Sequence, residues 1–401
     1  MKLSLRQRWV ALHRWLGLTV GLLFVLLGLS GSALVFDHAI DEWLNADLLL
    51  TDGSGTRMSV EAVIESAEAE FSGEAISVSK PRVADGVWTV WFQSGSQDQP
   101  KFTQVLVDPY TAEVTGQRVW GEYFMTWIYR LHYQLLAGET GAAIVGLVGI
   151  ISMLSILSGL YLWCPLWRHS WRAAFSVRSG KVNYDLHKSG GAVSALFLIV
   201  IAFTGVYMEF PQWFNWALSP LSAVSEPPSE LKSAPAEASA PLSSDQAIAI
   251  AQTKFPHAEL DHLHPPLGPE GFYEVAFRQS GEVQQSFGRT QVFLDQYNGE
   301  VLMIRTPKEF TAADAFVAWQ FPLHNGEAFG LLGRWVVFVA GIAPAALYAT
   351  GVLLWWKRRR RAKSLHRRSI AAHTLSAATL STSGMAKPRR SHAGVGLDNV
   401  S

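Results

Sequence analysis

Four long apolar runs, separated by polar stretches, dominate the pattern of this chain. They cover residues 12–36, 141–165, 187–210 and 331–356. At about 1.5 Å of rise per residue, a helix over each run crosses a hydrocarbon core of roughly 30 Å. Charged residues lie only near the ends of these runs. The pattern therefore predicts a mainly α membrane protein with four transmembrane helices.

The distribution of charge predicts how these helices are oriented. Lys and Arg crowd residues 1–11, 166–186 and 357–401, where Asp185 and Asp398 are the only acidic residues. Basic flanks stay on the cytoplasmic side. We therefore expect a cytoplasmic N-terminus, a cytoplasmic loop and a basic, disordered cytoplasmic tail. The two long segments that face outward are 37–140 and 211–330.

The first apolar run could be read as a signal peptide, because basic residues precede it. However, it is long for a signal peptide, and no clear small-x-small cleavage site precedes Asp37. We therefore expect residues 12–36 to remain as an anchor. The single cysteine, Cys164, excludes a disulfide or a cysteine-based metal site within one chain.

The two halves of the chain repeat one another. Residues 12–36 align with 186–210 without a gap, which brings His13 onto His187. The second and fourth helices align from their own histidines, His132 and His324. The alignment also matches Trp127 with Trp319, Ser30-Gly31 with Thr204-Gly205, and SGLYLW with TGVLLW. Because each half crosses the membrane twice, the halves should be parallel repeats related by a pseudo-two-fold axis along the membrane normal.

The outer segments repeat as well. Residues 59–71 and 243–255 have the apolar spacing of amphipathic helices. Alternating strand-like stretches follow: VWTVWF and TQVLVDPYTAEVTG in the first half, and YEVAF and TQVFLDQYNGEV in the second. Each half is thus predicted to carry one outer α+β module. The Pro-, Ser- and Ala-rich stretch between Ser219 and Ser244 is expected to be a flexible linker.

His13 and His187 are candidate ligands of one haem at the cytoplasmic side, because the two-fold axis can bring them face to face. Gly17 and Gly21 lie on the helical face of His13, and Gly191 and Ala195 lie on that of His187. Small side chains there leave a slot for a flat macrocycle, and ligation by two histidines favours electron transfer. The alternative is that the small residues only allow close helix packing.

His132 and His324 are the candidate ligands of a second haem, at or above the outer surface. Each lies nine residues before a glycine that opens the next apolar helix. A haem there would be reachable from the periplasm. Nearby aromatic residues are candidates for the wall of the haem or of a substrate cleft, or for an ordinary interfacial girdle. They are Trp127, Tyr129, Trp319 and Phe321.

Other histidines carry weaker signals. His38 lies at the outer end of the first helix, but its repeat counterpart is Gln212, so we expect a supporting or surface role and leave a ligand role open. His262 and His264 follow Asp261 and could form a surface metal site. A His-x-His on a strand is weak evidence for one.

Several motifs carry a family resemblance up to about Arg361. They are LHRWLGLTVGLLFVLLGLSGSALVF, LHYQLLAGETG, LHKSGG, FPLHNGEAFGLLGRW and TGVLLWWKRRR. The chain resembles the PepSY-associated transmembrane-helix proteins of bacterial inner membranes, and most of all the ferric-siderophore reductases of the FoxB type. That resemblance implies about two b-type haems per chain. It also implies PepSY-like outer modules and reduction of a periplasmic Fe(III) complex, such as a ferric siderophore, to release Fe(II).

The expected activity is therefore that of an oxidoreductase acting by outer-sphere electron transfer, without a general acid, base or nucleophile. No GxGxxG follows a strand, so quinol or a cytoplasmic flavoprotein should supply the electrons. No nucleic-acid partner is expected. One rival is a non-redox, membrane-anchored PepSY protein that binds a peptide, protease or transporter. The other is a metal permease, which the lack of Asp, Glu and Lys inside the helices disfavours.

Overall fold

The computed structural model describes residues 4–96, 99–225, 231–234 and 240–383. Its helices are α1 (Leu5–Leu34), α2 (Asp37–Leu44), α3 (Ala46–Leu49), α4 (Val60–Glu70), α5 (Phe124–Gln134), α6 (Gly138–His169), α7 (Trp171–Phe175), α8 (Val182–Glu209), α9 (Pro211–Leu218), α10 (Ser244–Lys254), α11 (Ala312–Asn325) and α12 (Gly330–Ser383). Its strands are β1 (Ser77–Ser79), β2 (Trp88–Ser96), β3 (Gln99–Val107), β4 (Val114–Val119), β5 (Glu259–His264), β6 (Phe272–Arg278), β7 (Thr290–Asp295) and β8 (Val301–Arg305).

Four helices, α1, α6, α8 and α12, are long and apolar enough to cross a membrane, as the sequence predicted. They pack in a ring in which α1 and α8 each contact both α6 and α12. Helices α1 and α12 approach backbone to backbone. A Cβ atom at Gly28 would stand 2.4 Å from the carbonyl oxygen of Gly341. Small residues at such contacts let apolar helices pack closely.

The prediction of a disordered tail is wrong for residues 357–383, because α12 continues as one helix to Ser383. The sequence contains neither Gly nor Pro between Gly351 and Gly384, and it is rich in Ala, Leu, Lys and Arg. These residues favour helix, and a helix that has already formed extends without a new nucleation step. Residues 384–401 lie outside the described part of the chain.

The eight strands form one antiparallel sheet in the order β4-β3-β2-β1-β5-β6-β7-β8. Strands β1 and β5 join the two halves, with Val78 opposite Leu263 and Ser79 opposite His262. The repeated strand-like stretches therefore belong to one shared sheet rather than to two separate sheets. Pairing the two edges satisfies backbone groups that separate modules would leave open.

Helices α4 and α10 cover one face of this sheet with the apolar core beneath them. Their N-termini cap each other across the halves. The Asp245 carboxylate accepts from the backbone N–H groups of Val60 and Glu61 at 2.9 and 3.0 Å, and Glu61 accepts from that of Ser244 at 2.7 Å. The buried core includes Val63, Ala67, Val78, Phe92, Ala247, Ala251, Leu263 and Phe277.

Two short helices, α5 and α11, connect the sheet to the membrane helices. Helix α5 ends at Gln134, and the chain reverses through Leu135, Leu136 and Gly138, all of which have positive φ. In the second half Gly326, directly after α11, and Gly330, the first residue of α12, have positive φ. The reversals lay α5 against α1 and α11 against α8. His132 and His324 therefore pack into the end of the bundle, so of the two predicted positions, at or above the outer end, the structure shows the first.

The flexible-linker prediction is wrong where the structure describes this stretch. Ser225 donates its backbone N–H to Asp314 at 2.8 Å. Ser233 is buried, and its hydroxyl accepts from the backbone N–H of Gln296 at 2.9 Å. Ala234 donates its N–H to Asp295 at 2.8 Å. The polar residues of this stretch thus make hydrogen bonds that attach it to the sheet and to α11. Residues 226–230 and 235–239 lie outside the described part.

Candidate functional site

Two pairs of histidines stand on the inside of the helix ring. His13 of α1 and His187 of α8, the basal pair, have ring centres 6.0 Å apart and planes inclined by 71°. His132 of α5 and His324 of α11, the apical pair, are at the end of the bundle next to the sheet. Their ring centres are also 6.0 Å apart, with planes inclined by 57°. The structure thus brings together the same residues that the repeat alignment paired.

Each histidine is held through Nδ1 by a helix of its own half. In the basal pair, His13 contacts the carbonyl of Ser155 and the hydroxyl of Ser158, both at 3.0 Å. His187 contacts the carbonyl of Leu347 at 3.1 Å and the hydroxyl of Thr350 at 3.0 Å. A carbonyl only accepts, so the proton resides on Nδ1 in both rings. Their Nε2 atoms are left with free lone pairs.

The apical pair repeats this arrangement. His132 Nδ1 lies 3.1 Å from the hydroxyl of Ser30, and His324 Nδ1 lies 3.0 Å from both the hydroxyl of Thr204 and the carbonyl of Ile201. The two hydroxyls donate to carbonyls of the preceding helical turn, Leu26 and Val200, at 2.8 Å. They are therefore acceptors toward Nδ1. Among the described residues, no hydrogen bond engages Nε2 of any of the four histidines.

A glycine follows each of the four hydroxyl residues and leaves room for the imidazole. A Cβ atom at these positions would stand only 2.8–3.3 Å from Cε1 of the histidine it faces. The four units are Ser30-Gly31 beside His132, Ser158-Gly159 beside His13, Thr204-Gly205 beside His324, and Thr350-Gly351 beside His187. Sequence reasoning aligned these dipeptides but assigned them no role. Their signal is a hydroxyl residue followed by glycine at matching positions of all four apolar helices.

The geometry of both pairs fits one metal ion between two imidazoles. Metal–nitrogen bonds of about 2.0–2.1 Å, with each nitrogen roughly 1.1–1.2 Å from its ring centre, place two ring centres about 6.3 Å apart. The observed separations of 6.0 Å agree within a few tenths of an ångström. A hydrogen bond at Nδ1 that fixes tautomer and orientation is the usual support of a metal-binding histidine. The residues present would therefore suit a haem iron held by the two imidazoles of each pair.

A cavity of about 470 Å³ adjoins the basal pair. Gly17, Gly21 and Gly191 line it, but a Cβ atom at Gly21 would stand 2.6 Å from the ring of Tyr348, so a side chain fills the space there. Ala195 is buried and is not among the lining residues. At Gly17 a Cβ atom would meet nothing within 4 Å. The volume lies in the range of cofactor pockets. Three guanidinium groups, which suit the carboxylates of a cofactor, also line it: Arg6, Arg14 and Arg358.

The aromatic residues predicted as a wall divide into two groups. Trp127 and Trp319 are 46% and 40% exposed. Each lies five residues before its histidine, about 140° around the helix, so neither shares the face of its imidazole. Trp319 instead lines a groove with Phe316 and Phe203. The wall role of both tryptophans stays a prediction, and their partial exposure also suits the alternative of an interfacial girdle.

Tyr129 and Phe321 lie three residues before the histidines, on nearly the same helical face. Tyr129 is still 39% exposed and packs edge-on against Trp120 and Tyr133, with ring centres 6.1 and 5.5 Å away. Phe321 is half-buried. Tyr129 and Phe321 can therefore lie beside the apical pair, but their partial exposure means that they do not shield it fully from solvent.

His38 lies outside both pairs. It belongs to α2, and its Nε2 is 3.6 Å from the carboxylate of Asp37 in the preceding position. His262 and His264 lie on β5 in the sheet, with ring centres 5.2 Å apart.

Asp314 anchors α11, the helix that carries His324. Its carboxylate accepts from the backbone N–H and the hydroxyl of Ser225, at 2.8 and 2.6 Å, and from the backbone N–H of Thr311 at 3.1 Å. Burial raises the pKa of Asp314, but the hydrogen bonds from Ser225 and Thr311 outweigh burial and hold that pKa below its ordinary value. The start of α11 is thereby tied to the docked segment before it.

Comparison with known proteins identifies the family of this chain. No curated protein matches the chain. The family model described as the PepSY-associated TM region matches residues 10–358, which include all four paired histidines and the whole sheet. Four helices able to cross a membrane and a match over nearly the full length lead to one assignment: the chain is a membrane protein of the PepSY-associated TM region family.

Proposed function

We propose that this protein is a bacterial inner-membrane di-haem b reductase that passes electrons across the membrane to a periplasmic acceptor. The observation that carries the proposal is the pair of matched histidine sites, each with Nδ1 anchored, Nε2 free and ring centres 6.0 Å apart. A purely structural histidine has no need of a free Nε2 facing its repeat counterpart. Two such pairs on one bundle axis indicate a relay.

His13 and His187 would hold the basal haem, and His132 and His324 the apical one. Bound haem supplies a one-electron Fe(III)/Fe(II) couple, and ligation by two histidines favours electron transfer over binding of small ligands. The chain's own contribution is to orient the imidazoles. The hydroxyl and carbonyl acceptors at Nδ1 fix the tautomer and raise the basicity of Nε2. The glycine beside each Cε1 lets the ring approach the neighbouring helix.

Charge supports an orientation with the basal pair on the cytoplasmic side. The arginines around the basal cavity, the segment before α8 and the basic continuation of α12 all lie at that end. Basic flanks favour the cytoplasm, so the sheet would lie in the periplasm, and both termini in the cytoplasm. The equivalent contacts made by each half support parallel repeats about an axis along the membrane normal.

The two sites are separated by most of the bilayer. From residue 13 to residue 30 of α1 is 17 residues, which is about 25 Å at 1.5 Å per residue. Phe24 and Tyr348 line the upper part of the basal cavity, so aromatic side chains occupy part of the space between the sites. The apical site lies within reach of the sheet, where a bulky acceptor could approach.

We further propose an Fe(III)–siderophore complex as the acceptor and quinol or a cytoplasmic flavoprotein as the donor. Each electron delivered reduces one Fe(III) to Fe(II). The lower charge weakens the hold of hard oxygen donors, so iron is released.

An absorption spectrum of the purified protein tests the proposal. We expect the narrow reduced-state bands of six-coordinate haem b and about two haems per chain. His132→Ala should remove one haem and leave the other. His38→Ala is the matched control, because His38 lies at the same end of the bundle but outside the pair, and it should retain both.

A folded but colourless protein would refute the redox proposal and favour a membrane-anchored PepSY binding protein. Loss of neither haem in His132→Ala would refute the assignment of the apical pair. The acceptor is tested by mixing the dithionite-reduced protein anaerobically with ferric siderophores. Reoxidation of the haem, together with appearance of Fe(II), is the expected result.

A further inference from the structure

A further group of histidines lies in the sheet, away from the basal and apical pairs. His262 and His264 are alternate residues of β5, so they share one face of the sheet. Glu274 of β6 is the direct cross-strand partner of His264. Leu263, between the histidines, is buried in the core under α4 and α10. The cluster therefore lies on the face of the sheet opposite these two helices.

Both imidazoles are oriented by acceptors at Nδ1. His262 Nδ1 lies 2.9 Å from the Asp261 carboxylate, which also accepts from the backbone N–H of Gly288 at 2.9 Å. His264 Nδ1 lies 2.8 Å from the carbonyl of Ile76, the residue just before β1. A carboxylate or carbonyl at one ring nitrogen leaves the other as a lone-pair donor and is the usual support of a metal-ligating histidine.

His262 presents a buried nitrogen that has no partner. The residue is 2% exposed, and its Nε2 is buried without a hydrogen bond in the described structure. Phe287 covers the ring, with centres 4.2 Å apart. Burying a nitrogen lone pair without a partner costs free energy that a bound ligand would recover.

Ligand atoms of His262, His264 and Glu274 all lie within 4.8 Å of one another. Around one tetrahedral ion with bonds of about 2.0–2.2 Å, ligand atoms stand roughly 3.3–3.6 Å apart, so a modest rotation of the two less buried side chains closes the set. Gln291 of β7 donates a hydrogen bond to Oε1 of Glu274.

We propose that His262, His264 and Glu274 form a binding site for a divalent transition-metal ion on the sheet. Two imidazoles and one carboxylate suit Zn(II) and Fe(II), whereas Mg(II) and Ca(II) prefer all-oxygen sets. Three protein ligands leave a further coordination position for water or another ligand. His264 and Glu274 are half-buried, so the ion reaches the site from their side. The site does not depend on the haem proposal.

Calorimetric titration of the full-length, chelator-treated protein in detergent with ZnCl₂ tests the site. We expect one saturable equivalent that is lost, or weakened at least about tenfold, in Glu274→Gln and in His264→Gln. His257→Ala is the matched control, because His257 is an exposed histidine of the same outer segment, and it should bind like the wild type. At one zinc concentration, the rise in melting temperature should be larger in the wild type and His257→Ala than in Glu274→Gln and His264→Gln.

The readout is the difference between variant and parent, so it holds whether or not the protein contains haem. Zinc bound to empty haem-ligand histidines would appear equally in every variant. The melting temperature without metal shows whether Glu274→Gln and His264→Gln remain folded. Equal zinc stoichiometry and affinity in folded Glu274→Gln and the wild type would overturn the site. Loss of the equivalent in His257→Ala would also overturn it.

Discussion

If the apical pair holds a haem as proposed, Gly31→Ala should remove that haem without unfolding the protein. Gly31 faces His132 across the contact between α1 and α5, and a Cβ atom there would stand 2.8 Å from Cε1. Carbon atoms in ordinary contact are about 3.5–4.0 Å apart, so the ring would have to retreat by roughly 0.7–1.2 Å. The Nδ1 of His132 is already 3.1 Å from the hydroxyl of Ser30. Such a retreat would lengthen the distance between His132 Nδ1 and the Ser30 hydroxyl beyond that of a hydrogen bond.

The expected magnitudes separate ligand binding from stability. A lost neutral hydrogen bond costs about 0.5–1.5 kcal/mol, and loss of such support weakens metal binding by about 10- to 100-fold. In the opposite direction, Ala favours a helix over Gly by about 0.5–1 kcal/mol. The free energy of unfolding should therefore change little while one site is lost.

The assay is a haem count per chain, with electron paramagnetic resonance to distinguish the two low-spin irons. We expect the count to fall from about two to about one, with the apical signal missing. Gly190→Ala is the control, because it makes the same change inside α8, where a Cβ atom would meet only Leu347, at 3.9 Å. It should keep both haems. Both haems with unchanged signals in Gly31→Ala would show that the glycine does not position the ligand.

Two other predictions follow from the contacts that support the ligands. Thr350→Val removes the hydroxyl acceptor at His187 and leaves the carbonyl of Leu347 as its acceptor, so the proposed basal haem should remain. The reduction potential of this haem should rise, because a less basic imidazole stabilises Fe(III) less. A redox titration with an unchanged basal potential would contradict this. The depressed pKa of Asp314 contributes stability that is present above the ordinary carboxyl pKa and is lost as the pH falls through the folded-state value. Asp314→Asn should therefore lower the melting temperature at neutral pH, and the difference from the wild type should shrink in acid; a constant difference would contradict the linkage.

The partners in each histidine pair could be predicted because apolar runs, basic flanks and an ungapped repeat are all legible in one sequence. The four apolar helices could also be predicted, because an uncharged stretch long enough to cross a bilayer can satisfy its backbone groups there only as a helix or in a closed barrel. The outer strands also showed their alternation, and β2, β3, β6 and β7 coincide with the stretches VWTVWF, TQVLV, YEVAF and TQVFLD.

What the sequence did not reveal depends on contacts between distant segments. Strand β1 has only three residues, Ser77–Ser79, too few to show a period, yet it joins the two halves into one sheet. The reversal after α5 uses Leu135 and Leu136 at positive φ, although leucine gives no turn signal and the conformation is unfavourable for it. Tertiary packing of α5 against α1 decides that geometry and places His132 in the end of the bundle.

Every support contact lies within one half of the chain, and every pairing joins the two halves. Helix α6 holds His13, and α1 holds His132; α12 holds His187, and α8 holds His324. Each half therefore carries two imidazoles with their tautomers already set, but each site is completed only when the halves associate. Helices α1 and α8 serve both sites, with a histidine near one end and a Ser/Thr-Gly unit near the other, whereas α6 and α12 support only the basal pair. Separating the two halves would therefore break both histidine pairs at once while leaving the Nδ1 contacts of each imidazole in place.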